Sequence, residues 1–464
     1  MSFSDSMSSA HAKDIHSALH PYSNLDLHLR SGAHIITGGE GIYVKDAEGN
    51  RFIDGMAGLF CASLGYSESS LIEAATRQMK ALPFYHSFAH TANIPSIELS
   101  EKLVSISPVP MSKVFFASSG SEANDTAIKM IWYYQNAMGK PKKKKIISRE
   151  RAYHGVTVAS ASLTGLPYLH TEFDLPIQSI LHTDCPGFYR YGKPGETEEE
   201  FVGRCVANLE ELILREGPDT IAAFFAEPVQ VSGGVILPPA GYFEKVQAIL
   251  NKYDILFVAD EVITGFGRTG NMFGTQTYGL KPDIITLAKQ LSAAYMPISA
   301  IMVNERVFEG LRVQSQRLGT FAHGFTYGGH PVAAAVALEA QKIYEERDIV
   351  GHVRKVAERF ADGLKRLGEH RLIGEVRQVG LVAGLEFVRN KESRENFTLE
   401  EGVAATLREN ARRNGVLTRA NNNALVVCPP LIITESELDE LLERIGKTLD
   451  DTLSDAVKAG VKLD

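Results

Sequence analysis

Between residues 110 and 335 the chain alternates short, almost wholly apolar runs with longer amphipathic ones, and this alternation restricts the fold more than any other feature. A strand that is apolar at every position is one covered by helices on both faces, so the pattern predicts an α/β fold around a largely parallel sheet. The candidate strands are KVFFA (113–117), KIIS (145–148), VASAS (158–162), IAAFFA (221–226), ILFVA (255–259), IITLA (284–288) and ISAIMV (298–303). The two ends of the chain read differently. Residues 35–54 carry hairpin punctuation at Gly38, Gly39, Gly41 and Glu48-Gly49-Asn50. Beyond about 335 come long charged helices, the runs GLVAGLEFV, GVLT and LVVC, and a last helix opened by a Thr434/Glu437 capping box. Its Leu438, Leu441, Leu442, Ile445 and Leu449 fall on one face. The expected organisation is a large domain over residues 76–335 and a smaller α+β domain assembled from residues 1–75 and 336–464. The Ala-rich helix after Pro331 would join them.

Bulk properties narrow the function. A chain of 464 residues, 44% hydrophobic and 22% charged, is long enough for two or three domain-sized units with a large core. A net charge of −8 repels a phosphate backbone, and the one dense basic run, Lys140 to Lys145 broken by Pro141, reads as a solvated loop. Nucleic acid is therefore not an expected partner. Cys61, Cys185, Cys205 and Cys428 are far apart with no CxxC pair, which argues against a disulfide framework and against a structural zinc site. No metal centre is expected. The N-terminal stretch lacks a signal-peptide pattern and no run of about 18 apolar residues occurs, so the expected location is the cytoplasm, away from membranes.

Three of the apolar strands run directly into a chemically useful side chain: IAAFFA into Glu227, ILFVA into Asp260, and IITLA into Lys289. In open α/β sheets ligands bind at the carboxyl ends of the strands, so the three are predicted to share one crevice. Any one of them alone is as readily explained by a chain returning to solvent. Together they suit pyridoxal phosphate (PLP), which needs a lysine amine, an acid beside its pyridine nitrogen, a phosphate cradle and a wall against its ring. Desolvation at a strand end makes Lys289 a usable nucleophile, and Asp260 is placed to bond a pyridinium N–H. Ser119-Gly120-Ser121, between KVFFA and a helix starting near Glu122, is the candidate phosphate turn. Gly265 to Gly270 matches GxGxxG, but five residues separate it from the strand and no amphipathic helix follows, so it is set aside as a dinucleotide site. His86 and His90 have metal-pair spacing without a third ligand and stay unassigned.

The chain carries the motifs DGMAGLFCASLGY, FFASSGSEANDT, AYHGVTVASASLTG, AEPVQ, FVADEVITGFGRTG, ITLAKQLSAAYMPISA, HGFTYGGHPVAAAVALE and GVLTR followed by PPLIIT, marks of a resemblance that covers about residues 30 to 450. On them the chain closely resembles the class III aminotransferases of the fold-type-I PLP enzymes, in particular the ω-amino acid, amine and polyamine:pyruvate group. The resemblance implies a mostly parallel seven-stranded sheet, PLP held as a Schiff base on Lys289, and Asp260 paired with the ring nitrogen. It implies Val262 and Tyr153 on the two ring faces, Ser119, Gly120 and Ser121 at the phosphate, and His154 and Glu227 as further cofactor contacts. Thr326 would reach the phosphate of a neighbouring subunit, making the protein a homodimer or a tetramer of paired dimers. Arg419 matches the mobile arginine that receives a substrate carboxylate. Phe60 stands where many amine-active relatives have tryptophan, and with Phe88, Tyr153 and Val231 would line the substrate pocket. Gln290, Ser118 and the Asn421-Asn422-Asn423 turn depart from the usual pattern. The implied activity moves an amino group from an amine or ω-amino acid to a keto acid, with pyruvate the expected acceptor. Another PLP reaction on the same fold, by an aminomutase, racemase or decarboxylase, is the alternative.

Overall fold

The computed structural model describes residues 9–421 and 423–463. Residues 1–8 of the N-terminal stretch and Asn422 of the triple-asparagine turn therefore lie outside the described residues. At the N-terminal end β1 (Ile36–Glu40), β2 (Tyr43–Asp46) and β3 (Arg51–Asp54) form an antiparallel meander. The central sheet contains β4 (Lys113–Ala117), β5 (Lys145–Arg149), β6 (Ile180–Thr183), β7 (Ile221–Ala226), β8 (Leu256–Asp260), β9 (Ile284–Leu287) and β10 (Ser299–Val303). Their spatial order is β4-β10-β9-β8-β7-β5-β6, and only β10 runs against its neighbours. Every residue of β7, β8, β9 and β10 is buried, as all-apolar strands covered on both faces require.

A third sheet contains β11 (Ile373–Val379) and β12 (Val382–Phe387). It is completed, after the short β13 (Val416–Leu417), by β14 (Arg419–Asn421) and β15 (Ala424–Val427), and is antiparallel throughout. β13 pairs in parallel with β3, so the first and last parts of the chain meet in one sheet. The closing helix Glu435–Lys458 buries the predicted leucine face, and the Glu437 carboxylate accepts the Thr434 N–H at 2.9 Å. Pro331 opens the buried helix Pro331–Glu346 at its first turn.

Two sequence expectations are corrected. VASAS is not a strand but most of the helix Val158–Leu163. The Ser160 hydroxyl accepts the Thr157 N–H at 3.1 Å, and Asp125 accepts the Ser160 N–H at 2.9 Å, so local side chains satisfy amides that a ladder would otherwise use. The seventh strand is β6, whose ILHT is too short and too polar at His182 to stand out. The lysine run is also less solvated than its composition suggests. Lys143 is buried, donating to the carbonyls of Tyr253 and Asp254 at 3.0 and 2.5 Å, and Lys144 donates to the Trp132 carbonyl at 3.0 Å. Desolvation holds both amines below the ordinary lysine value. Only Lys140 and Lys142 fit the solvated reading.

Candidate active site

Strands β9, β8 and β7 are neighbours, and at their carboxyl ends stand Lys289, Asp260 and Glu227. They meet in a cavity of about 140 Å³ also lined by Gly120, Ser121, Asn124, Tyr153, His154 and Val262. Lys289 has a left-handed backbone, φ 45°, which turns the chain abruptly where β9 ends. Burial holds its amine below the usual lysine pKa, the direction a proton carrier at neutral pH needs.

Asp260 is buried and held by three donors. Its carboxylate accepts Asn124 Nδ2 at 2.8 Å, His154 Nδ1 at 2.8 Å and the Val262 N–H at 3.0 Å. A carboxylate only accepts, so Nδ1 of His154 carries the hydrogen, and its Nε2 is buried with no hydrogen-bond partner among the described residues. Asn124 is locked in turn by donating to the His154 carbonyl at 2.7 Å and accepting the Thr286 hydroxyl at 3.0 Å. Sequence reasoning missed Asn124, although a buried asparagine inside an apolar helix face was a readable signal, since asparagine is a weak helix former. Glu227 accepts the Tyr153 N–H at 3.1 Å. Desolvation, reinforced by the Asp260 charge, pushes its carboxyl up to about 7.

The helix Gly120–Ala137 points its N-terminus into the cavity. Ser119 caps it by accepting the Glu122 N–H at 3.2 Å and does not line the cavity, so its hydroxyl serves the helix. Gly120 does line it: a Cβ there would sit 3.2 Å from both Val262 methyls and close the space between them. The Ser121 hydroxyl accepts the Val156 N–H at 3.1 Å, and Gly155, at φ 134°, leaves room for it.

Above the lysine, Phe60 is buried with φ 62°, its ring 5.5 Å from Lys289 Nζ and 5.9 Å from Arg419 Cζ. Val231 is buried in the same apolar cluster. The Tyr153 hydroxyl lies 3.2 Å from that of Tyr22, a residue that nothing in the sequence connected to the site. Burial raises the phenol pKa of both Tyr22 and Tyr168, and the Arg419 charge opposes it in each. Phe88 and Thr326 are not brought to this cavity within one chain. Phe88 is 44% exposed and lines a separate groove of about 740 Å³ beside Phe116 and Phe325, and Thr326 is exposed nearby.

Gln290 has a structural task. Its side chain donates to the Ile263 carbonyl at 2.6 Å, and its own carbonyl accepts Tyr344, whose hydroxyl also meets Ser63 at 2.6 Å. The lysine turn is thereby tied to the segment after Asp260 and to the loop bearing Phe60. The GxGxxG segment is a staple as well: buried Arg268 donates to the carbonyls of Leu381 and Pro429 at 2.8 and 2.6 Å. His86 stacks on Tyr85.

Residues 29–449 match the model of the aminotransferase class-III family. The chain belongs to the class III aminotransferases. It is 53% identical over 419 residues to gamma aminobutyrate transaminase 1, mitochondrial, of Solanum lycopersicum, covering 90% of this chain and 81% of that one. It is 51% identical over 447 residues to a probable gamma-aminobutyrate transaminase 4 of Oryza sativa subsp. japonica, covering 96% and 92%. Among solved structures, the Pseudomonas jessenii omega transaminase in complex with PMP matches with a TM-score of 0.96 and 52% identity, over 97% of this chain and 99% of that one.

This class III aminotransferase is thus a PLP enzyme, and its cavity fits the cofactor. The fit rests on a buried anion held by three donors, a cradle at a helix N-terminus that a single Cβ on Gly120 would narrow, and a desolvated amine facing both.

Proposed function

We propose that this aminotransferase moves nitrogen from an amine or ω-amino acid to pyruvate, in two half-reactions at one site. The observation that carries this reading is that Arg419 and Lys289 both stand beside the Phe60 ring, 5.9 and 5.5 Å from its centre. A single guanidinium facing an aromatic wall suits both a carboxylate, which it pairs with, and an uncharged amine, which packs on the wall instead.

In this reading Lys289 holds the cofactor, Asp260 the pyridine N–H, Val262 and Tyr153 the ring faces, and Ser121 with the Gly120 amide the phosphate. When bound, PLP supplies an electron sink for the negative charge that develops on the carbon carrying the transferred nitrogen. Lys289 Nζ, its pKa lowered by burial, takes the proton from that carbon and returns it to a neighbouring atom. His154 and Asn124 keep the Asp260 carboxylate aimed. Glu227 orders Tyr153 through its backbone, and Phe60 and Val231 exclude water from the reacting end.

The exposure of Thr326 and the Phe88 groove supports a homodimer in which a second copy covers that face and completes the phosphate site. The four free thiols suit a reducing compartment, as the cytoplasm is. The test is a donor panel of uncharged amines and ω-amino acids, γ-aminobutyrate among them, with pyruvate as acceptor and alanine as the readout. Alanine formation with both donor classes is expected. A protein that forms alanine from neither donor class would remove the reading.

A further inference from the structure

Ahead of the first strand the chain makes two short helices, Ala10–Ser17 and Leu25–Ser31. The segment between them contains Tyr22, whose hydroxyl lies 3.2 Å from that of Tyr153. Three side chains of this region turn toward one point. Asp14 comes from the first helix, His20 from the connection and His28 from the second helix. Asp14 Oδ1 is 2.7 Å from His20 Nε2, and Asp14 Oδ2 is 3.4 Å from His28 Nε2. The two imidazole rings overlap with centroids 4.3 Å apart, and the three ligand-type atoms all lie within 4.8 Å of one another.

The pair formed by His28 and Asp14 is the telling part. His28 is only 8% exposed, and among the described residues neither its buried Nε2 nor the buried Asp14 Oδ2 that faces it has a hydrogen-bond partner. A simple His20–Asp14 hydrogen bond accounts for one ring and one oxygen. It leaves a buried nitrogen and a buried carboxylate oxygen 3.4 Å apart, within ion-pair reach but without a hydrogen bond among the described residues. A cation answers for both at once.

We propose that Asp14, His20 and His28 bind one divalent transition-metal ion of the Zn²⁺ class, which staples the two helices and so holds Tyr22 against Tyr153. Two imidazole nitrogens and a carboxylate are a donor set for zinc rather than for magnesium or calcium, which take oxygen ligands. Metal distances would be about 2.0–2.2 Å, with a water completing four-coordination. None of the three residues lines the Lys289 cavity, so the ion is structural to the cover of the site and takes no part in transamination. The absence of paired cysteines had pointed away from zinc, but histidines and an aspartate spread over two helices and their connection give no such signature.

The test uses tag-free holoenzyme stripped with EDTA and titrated with ZnCl₂ alone by calorimetry, with trypsin cleavage at Lys13 and Arg30 followed with and without the ion. One Zn²⁺ per chain is expected, with affinity reduced at least tenfold in His28→Gln and in Asp14→Asn and unchanged in His86→Gln. Zinc should also slow cleavage in the native chain and in neither of the first two variants. If either of them fails to fold, as judged by loss of the bound-cofactor absorbance, His20→Gln supplies the same reading. Absence of stoichiometric binding, or equal affinity in native and His28→Gln chains, overturns the site. Binding without protection from trypsin overturns the staple.

Discussion

The floor and the cover of the active site are built on opposite plans. The floor stands on the ends of β7, β8 and β9, strands buried at every position, and Asp260 there is fixed by three hydrogen bonds that Asn124 and Thr286 brace in turn. The cover comes from distant parts of the chain: Tyr22 before the first strand, Phe60 at the end of the short, kinked helix Ala57–Phe60 after β3, and Arg419 at the start of β14. Its parts sit on left-handed backbone at Tyr22 and Phe60 and touch through rings and single hydroxyls. On the proposed function this contrast is a division of labour, strand ends carrying the chemistry and the segments above them the choice of substrate.

That division is open to attack by mutation. The largest effect belongs to the floor: Asp260→Asn should lower turnover by about 10³-fold for every donor alike while the melting temperature holds, because the charge that stabilises a protonated ring nitrogen is gone. A loss confined to one donor class would move Asp260 to the cover. Arg419→Ala should lower kcat/KM for pyruvate and ω-amino acids by about 10- to 100-fold, the worth of a charge-assisted bond, and leave uncharged amines nearly untouched. Equal losses for both classes would place Arg419 in the chemistry.

A third prediction concerns pH. Glu227, raised to about 7 from an ordinary 4.5, binds a proton in the folded state that the unfolded chain has lost. Folding stability therefore declines as pH rises from about 4.5 to 7, by on the order of 3 kcal/mol. Glu227→Gln should flatten that slope in denaturant titrations, and an unchanged slope would mean the carboxyl is ionised throughout. The smallest effect is expected from Tyr22→Phe, a two- to tenfold rise in KM, about the worth of one neutral hydrogen bond, with kcat preserved.

How much of this was readable in the sequence follows the same division. The floor was legible because all-apolar runs announce buried strands and the residue after each run is where a sheet presents its ligands; Glu227, Asp260 and Lys289 followed from that rule alone. β6 was not, since ILHT carries too few apolar residues, and VASAS imitates a strand while its serines and Thr157 favour a capped helix. The cover was hardly legible. Tyr22 meets Tyr153 across 131 residues, a pairing that no local pattern encodes. Phe60 and Arg419 were reached by resemblance to a family and by no physical signal of their own. Gln290 looked like a departure and proves to be a tie between the lysine turn and Ile263, made possible by a backbone that turns at Lys289 itself.

The central claim is that Lys289, among all the lysines of the chain, holds the cofactor. Reducing the PLP-loaded protein with borohydride, digesting it and locating the added pyridoxyl mass tests this directly. The mass should appear on the peptide containing Lys289 and nowhere else in stoichiometric amount. Its appearance on another lysine, the buried Lys143 for example, would contradict the account.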